Sequence, residues 1–107
     1  MGTVADRWSA EFDEDYFLKE PTRWSEALAE EIARHDGLAR LTDAQWAVIK
    51  SLRRHYFERG SVPMLRHICH LNHLDKRCMD TLFIHGPKEA WRIAGLPNPG
   101  EEAKSYM

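Results

Sequence analysis

The sequence predicts a single, mainly α domain, and three features predict it. Apolar residues recur at helical spacing through the middle of the chain. A Thr-x-x-Gln capping box opens the longest of these stretches, and glycine or proline marks the ends of most of them. With 107 residues, 43% of them hydrophobic, the chain fits one small domain with a modest core. The unit should span 1–107, with a β-hairpin near 8–18, a helical body near 23–94 and a flexible arm over 95–107.

The elements follow in order. Trp8, Ala10 and Phe12 alternate with polar residues, Asp13-Glu14-Asp15 supplies turn chemistry, and Tyr16-Phe17-Leu18 is a second apolar run, which reads as a hairpin. A first helix is predicted from Arg23 to His35, with Trp24, Leu28 and Ile32 on one stripe and Gly37 as its stop. Thr42 and Gln45 form the capping box of a second helix, which runs to about Glu58 and closes at Gly60. Pro63 suits the first turn of a third, near Pro63–Leu71. Asp75 caps a fourth near Lys76–Phe83, and Gly86-Pro87 starts a fifth over Pro87–Ala94, ended by Gly95. Two prolines and two glycines within 95–100 forbid a helix there, so the chain should leave the body as an extended arm, mobile beyond Pro99.

Net charge is −2, but the average conceals a split. Residues 1–45 carry five basic and eleven acidic side chains, whereas residues 50–77 carry seven basic and two acidic. The basic middle offers a docking face built from Arg53, Arg66, His70, Lys76 and Arg77, or simply a solvated surface. No apolar run approaches the roughly 18–20 residues that span a bilayer. The first residues lack the basic and apolar regions of a secretory signal, and a cytoplasmic location without membrane contact is expected.

His67, Cys69, His70 and His73 place metal-binding residue types on one short helix. Their spacing drifts around the helix axis, so no metal site is expected. Cys69, with Arg66 and histidines nearby, is the better candidate for a reactive thiol, although burial as an inert side chain competes with that reading. A Cys69–Cys78 disulfide requires Cα atoms within about 7 Å, and a reducing compartment argues against it. The third and fourth helices have helix-turn-helix proportions, with the hairpin placed as a wing, but Asp75–Asp80 lacks a set of side chains suited to base edges. No Gly-rich phosphate loop, HExxH helix, GxSxG elbow or paired-carboxylate motif is present, so neither a cofactor nor a catalytic centre is expected.

Several segments together resemble the DsrC/TusE family, the dissimilatory sulfite reductase gamma subunit and its tRNA-thiolation relative. They are Asp13-Glu14-Asp15 with Phe17-Leu18, Trp24-Ser25-Glu26-Ala27-Leu28, Asp36-Gly37-Leu38, and Leu41-Thr42 through Trp46 and Ile49. Gly60 with Pro63 and Arg66, and Leu82-Phe83 before Gly86-Pro87, extend the match. Ala94-Gly95-Leu96-Pro97-Asn98-Pro99, close to the family's AGLPxP signature, is its most specific part. The resemblance implies a small orthogonal helical bundle with a helix-turn-helix-like core, an N-terminal hairpin and a mobile arm.

It also implies a mechanism, in which a cysteine near the arm's end carries sulfur as a persulfide or trisulfide. Sulfite reductase partners add a second cysteine just ahead of the signature. Counted from Gly95-Leu96-Pro97, the first position holds Glu102 and the second Trp91. A carboxylate holds no sulfane sulfur and an indole closes no disulfide. The leading expectation is therefore a non-catalytic adaptor or regulator that binds sulfur-transfer or sulfite-reductase-type proteins through Gly95, Leu96, Pro97, Pro99 and Glu102. Trp91 either pins the arm or fills the core. The alternatives are a sulfur carrier that uses Cys69 and a winged-helix-like DNA-binding regulator that uses the basic face.

Overall fold

In a computed structural model, which describes residues 11–105 and residue 107, Ser25 rather than Arg23 opens the first helix. Pro21–Arg23 forms a separate 3-10 turn, and the Ser25 hydroxyl then accepts the Leu28 amide at 3.1 Å. A serine that satisfies an orphan amide is a stronger start than the apolar stripe alone, which is why the boundary moves. Helix α1 (Glu26–His35) buries Leu28, Ala29, Ile32 and Ala33.

Helix α2 (Asp43–Arg59) begins on the expected capping box. The Gln45 amide donates to Thr42 Oγ1 at 3.2 Å and the Thr42 amide donates to Gln45 Oε1 at 2.7 Å. It ends at Gly60, whose φ of +71° is a left-handed conformation that glycine takes without strain. Gln45 is itself buried, and its Nε2 donates to the Leu82 carbonyl at 2.5 Å, tying the start of α2 to a later helix.

Helices α3 (Leu65–Leu71) and α4 (Cys78–Leu82) are both shorter than predicted. Pro63 lies before α3 rather than in it, because Met64 is the N-cap. Asp75 caps the intervening turn, its Oδ1 accepting the Arg77 amide at 2.9 Å, and the helix starts three residues later. Asn72 secures this corner, since its Nδ2 donates to the Ile68 carbonyl at 2.8 Å and to Ser51 Oγ of α2 at 3.0 Å. Helix α5 (Pro87–Ile93) packs against α1, α2 and α4, so it is the hub of the bundle.

Two expectations change at the ends. Among the described residues the hairpin is reduced to one antiparallel bridge, Phe12 to Leu18, around the turn at 13–16, while Trp8 and Ala10 lie outside the described residues. Phe12, Phe17 and Leu18 still enter the core, as the alternation required. The arm is not extended to its end. After Gly100 it forms a short helix, α6 (Glu101–Lys104), and Met107 packs against the core cluster. No helix among the described residues is long and apolar enough to cross a membrane.

Candidate functional site

The arm divides at Pro97. Its root is built into the core. Gly95 turns the chain at φ +67°, and a Cβ there would stand 2.1 Å from Trp24 Cδ1, so only glycine fits. The Trp24 indole N–H donates to the Ile93 carbonyl at 2.8 Å, and Leu96 is completely buried. Trp91, also buried, donates its indole N–H to the Pro97 carbonyl at 2.7 Å and meets Tyr56 edge to face, with ring centroids 6.1 Å apart. Filling the core and pinning the arm are thus one role for Trp91, because a buried indole needs a partner for its donor.

Arg53 completes the root. Its guanidinium lies 4.2 Å from the centroid of the Trp24 ring and donates to the carbonyls of Ala94 at 2.8 Å and Pro21 at 3.2 Å. Burial pulls its pKa down, although a guanidinium stays charged throughout the physiological range. The expectation that Arg53 belongs to an open basic face is therefore corrected: it is half-buried, and two of its N–H groups donate to backbone carbonyls. Gly95 and Leu96, expected as partner contacts, are likewise buried in this arrangement.

The tip, from Asn98 onward, is held by polar contacts and by the packing of Met107 against the core cluster. Asn98 Nδ2 donates to Asp13 Oδ2 at 3.1 Å and to Asp15 Oδ2 at 3.2 Å. Lys104 Nζ donates to Asp15 Oδ2 at 2.7 Å and Glu101 Oε1 at 3.2 Å. Between the tip and the α2–α3 loop lies a groove of about 620 Å³, with Val62, Met64 and Arg66 on one side and Pro99, Glu102 and Met107 on the other. Glu102 is exposed at this groove.

The α3–α4 corner carries both cysteines. Cys69 and Cys78 are bonded to each other, with Cα atoms 5.8 Å apart, and both are buried. An accessible, reactive Cys69 thiol is accordingly not what the fold presents, and the reasoning from compartment missed a pairing that the helix-turn-helix geometry permits. Outside the disulfide the corner is rich in basic residues. Arg66, His70, Lys76 and Arg77 are exposed, and of these only Arg77 has a nearby carboxylate, Asp80 at 3.8 Å, among the described residues.

The comparisons with known proteins fit this architecture. A family model described as "DsrC like protein" matches residues 4–101. The chain belongs to the DsrC-like family. Relatives in that family include the sulfurtransferase TusE of Salmonella choleraesuis, 37% identical over 95 residues, which is 81% of this chain and 86% of the relative. TusE of Escherichia coli K12 is 35% identical over 97 residues, 83% of this chain and 88% of the relative. Among solved structures, dissimilatory sulfite reductase I (DsrI) aligns with a TM-score of 0.77 and 27% identity, covering 84% of this chain and 88% of that one. The oxidized gamma subunit of the dissimilatory sulfite reductase (DsrC) from Archaeoglobus fulgidus aligns at 0.72 with 32% identity, covering 83% and 88%.

The family was legible because most of the signature, Ala94 to Pro97, lies in the arm root, where backbone and core are most constrained. What the sequence did not announce was the pairing of Asp13 and Asp15 with Asn98 and Lys104, more than eighty residues apart. In the sequence the acidic turn reads as turn chemistry and as part of the family resemblance, not as a partner of the arm. Its only hint was that Lys104 is the sole cation in 95–107, downstream of an acidic front.

Proposed function

We propose that the chain is a non-catalytic adaptor or regulator of cytoplasmic sulfur transfer, which docks on sulfur-transfer or sulfite-reductase-type proteins without carrying sulfur itself. One observation carries this reading. The arm from Gly95 to Met107 contains no cysteine, and the two cysteines of the chain, Cys69 and Cys78, are buried and bonded to each other in the α3–α4 corner. By the register of the Gly95-Leu96-Pro97 signature, Glu102 stands where the family's sulfur-bearing side chain is expected, and Trp91 where a second cysteine is expected. A carboxylate cannot attack or hold a sulfane sulfur, whereas it can accept hydrogen bonds in a partner's pocket.

The names of the relatives support the choice of partner class, since they are sulfurtransferases and sulfite reductase subunits. A purified sulfurtransferase of the TusE relay and a purified sulfite reductase, each mixed with this protein, test the reading by co-elution. Complex formation that is lost on truncation after Pro97 is expected. A stoichiometric, transferable sulfur adduct on Cys69 or Cys78 contradicts the reading and favours the carrier alternative, which needs the disulfide opened first.

A second reading has one observation in its favour. The exposed Arg66 and Lys76, with exposed His70 beside them, form a basic corner with no carboxylate within salt-bridge distance among the described residues. Nucleic-acid binding there predicts affinity that falls steeply with salt, and Arg66→Glu should weaken it. Binding indifferent to both eliminates that reading.

A further inference from the structure

The acidic turn and the arm tip meet in a way that neither family membership nor the adaptor reading requires. Asp13, Asp15, Asn98 and Lys104 converge although no regular element joins them. The turn is shaped for the task. Asp13 Oδ1 accepts the amides of Asp15 at 2.9 Å and Phe17 at 3.0 Å, leaving Asp13 Oδ2 for Asn98. Tyr16 adopts a left-handed φ of +68°, uncommon and costly for a bulky residue, at the position directly after Asp15.

On the arm side, Asn98 Oδ1 accepts the Gly100 amide at 2.9 Å, so the residue that reaches the turn also shapes the entry to α6. Lys104 then comes back over the turn, its Nζ 5.6 Å from the centroid of the Phe17 ring, with its side chain only 13% exposed. An ammonium so covered is committed to its partners, and the reciprocal effects agree. Lys104 holds the Asp15 carboxyl below the usual carboxylate range, and Asp15 raises the Lys104 pKa.

The geometry points to a latch: Asp15, with Asp13 beside it, holds the arm tip closed on the body through Lys104 and Asn98, and the tip is presented to a partner only when this contact opens. The root has no such freedom, because Trp91, Trp24 and Arg53 fix it through the core. The hinge is therefore set at Pro97–Asn98. A partner that receives the tip must compete for Lys104, and carboxylates that mimic the acidic turn are the chemistry that does so. The inference goes beyond the adaptor reading, and its test needs no partner, so either can fail alone.

Hydrogen exchange followed by mass spectrometry on the full chain reads the latch directly. In the closed arm the Lys104 amide donates to the Gly100 carbonyl at 3.0 Å and the Ser105 amide to the Glu101 carbonyl at 3.2 Å. Asp15→Lys should speed exchange of the tip peptide about fivefold, with peptides from α2 unchanged. Asp15→Asn, a gentler change, should act in the same direction. The swapped double variant Asp15→Lys with Lys104→Asp should restore protection, and raising the salt should speed the tip in the unaltered protein. A tip that exchanges at the same rate in Asp15→Lys overturns the latch. So does a double variant that stays as fast as the single, or a tip and body that accelerate by one common factor.

Discussion

The two halves of the arm are held by different physics. The root, 95–97, is gripped by tryptophan, glycine and a half-buried guanidinium, with Leu96 sunk into the core. The tip, from Asn98 onward, is gripped at the edge of the molecule by carboxylates, an amide and one ammonium, with Met107 packed against the core cluster. Buried apolar and hydrogen-bonded contacts are insensitive to salt and cost several kcal/mol to break, whereas exposed ion pairs contribute about 1 kcal/mol or less. The same strand of chain thus ends one structural unit and begins a conditional one.

The severest way to break the contrast is at Gly95. A Cβ there collides with Trp24 and the left-handed φ is strained for any other residue. Gly95→Ala should cost about 3 kcal/mol and lower the melting temperature by roughly 10–20 °C in a thermal scan. Arg53→Met comes next. It leaves two partly buried carbonyls without their donor and removes the cation from Trp24, for an expected loss of about 2 kcal/mol in urea unfolding. Because the fork geometry places two donors at once, Arg53→Lys should recover little of it.

The disulfide extends the comparison to the α3–α4 corner. Replacing both Cys69 and Cys78 by alanine releases a loop that spans nine positions of sequence. Roughly 2–3 kcal/mol of stability should be lost, measured against the unaltered protein without reductant. Exchange at the arm should stay as it was, since the effect acts on another part of the chain.

The smallest effect concerns Glu89. It is fully buried, neither carboxylate oxygen has a hydrogen-bond partner of good geometry among the described residues, and exposed His85 lies 3.8 Å away. Burial first, and the nearby Asp36 second, push its pKa up. The folded state therefore holds this proton more tightly than the unfolded state does. Its contribution to stability is full below the unfolded pKa and is lost as pH rises through the raised folded value. Glu89→Gln should flatten that decline and gain about 1 kcal/mol at pH 8 with little change near pH 4, read by urea unfolding at both.

Much of the fold was legible because its signals are local. Thr42 with Gln45, Gly60 and Gly95 each act within a few residues, and each marks the boundary that the structure has. The misplaced starts of α1, α3 and α4 have local causes too, but the competing cap at Ser25 and the turn at Asp75 outweigh the apolar pattern that set the prediction. Arg53 could not be read this way. On a helix a cation at a polar position looks like surface, and only the approach of the Ala94 and Pro21 carbonyls reveals otherwise. Helix α6 is hidden for a similar reason, since four residues carry almost no periodicity and Lys104 finds its partner 89 positions away.

The proposed adaptor role turns on one side chain of the arm, Glu102. Intact-protein mass spectrometry after incubation with a small-molecule persulfide donor compares the unaltered protein with Glu102→Cys. The account predicts no sulfur adduct on the unaltered chain and a gain of one sulfur on the arm peptide of the variant, with Cys69 and Cys78 unmodified in both. A stable, stoichiometric sulfur adduct on the unaltered protein would contradict it.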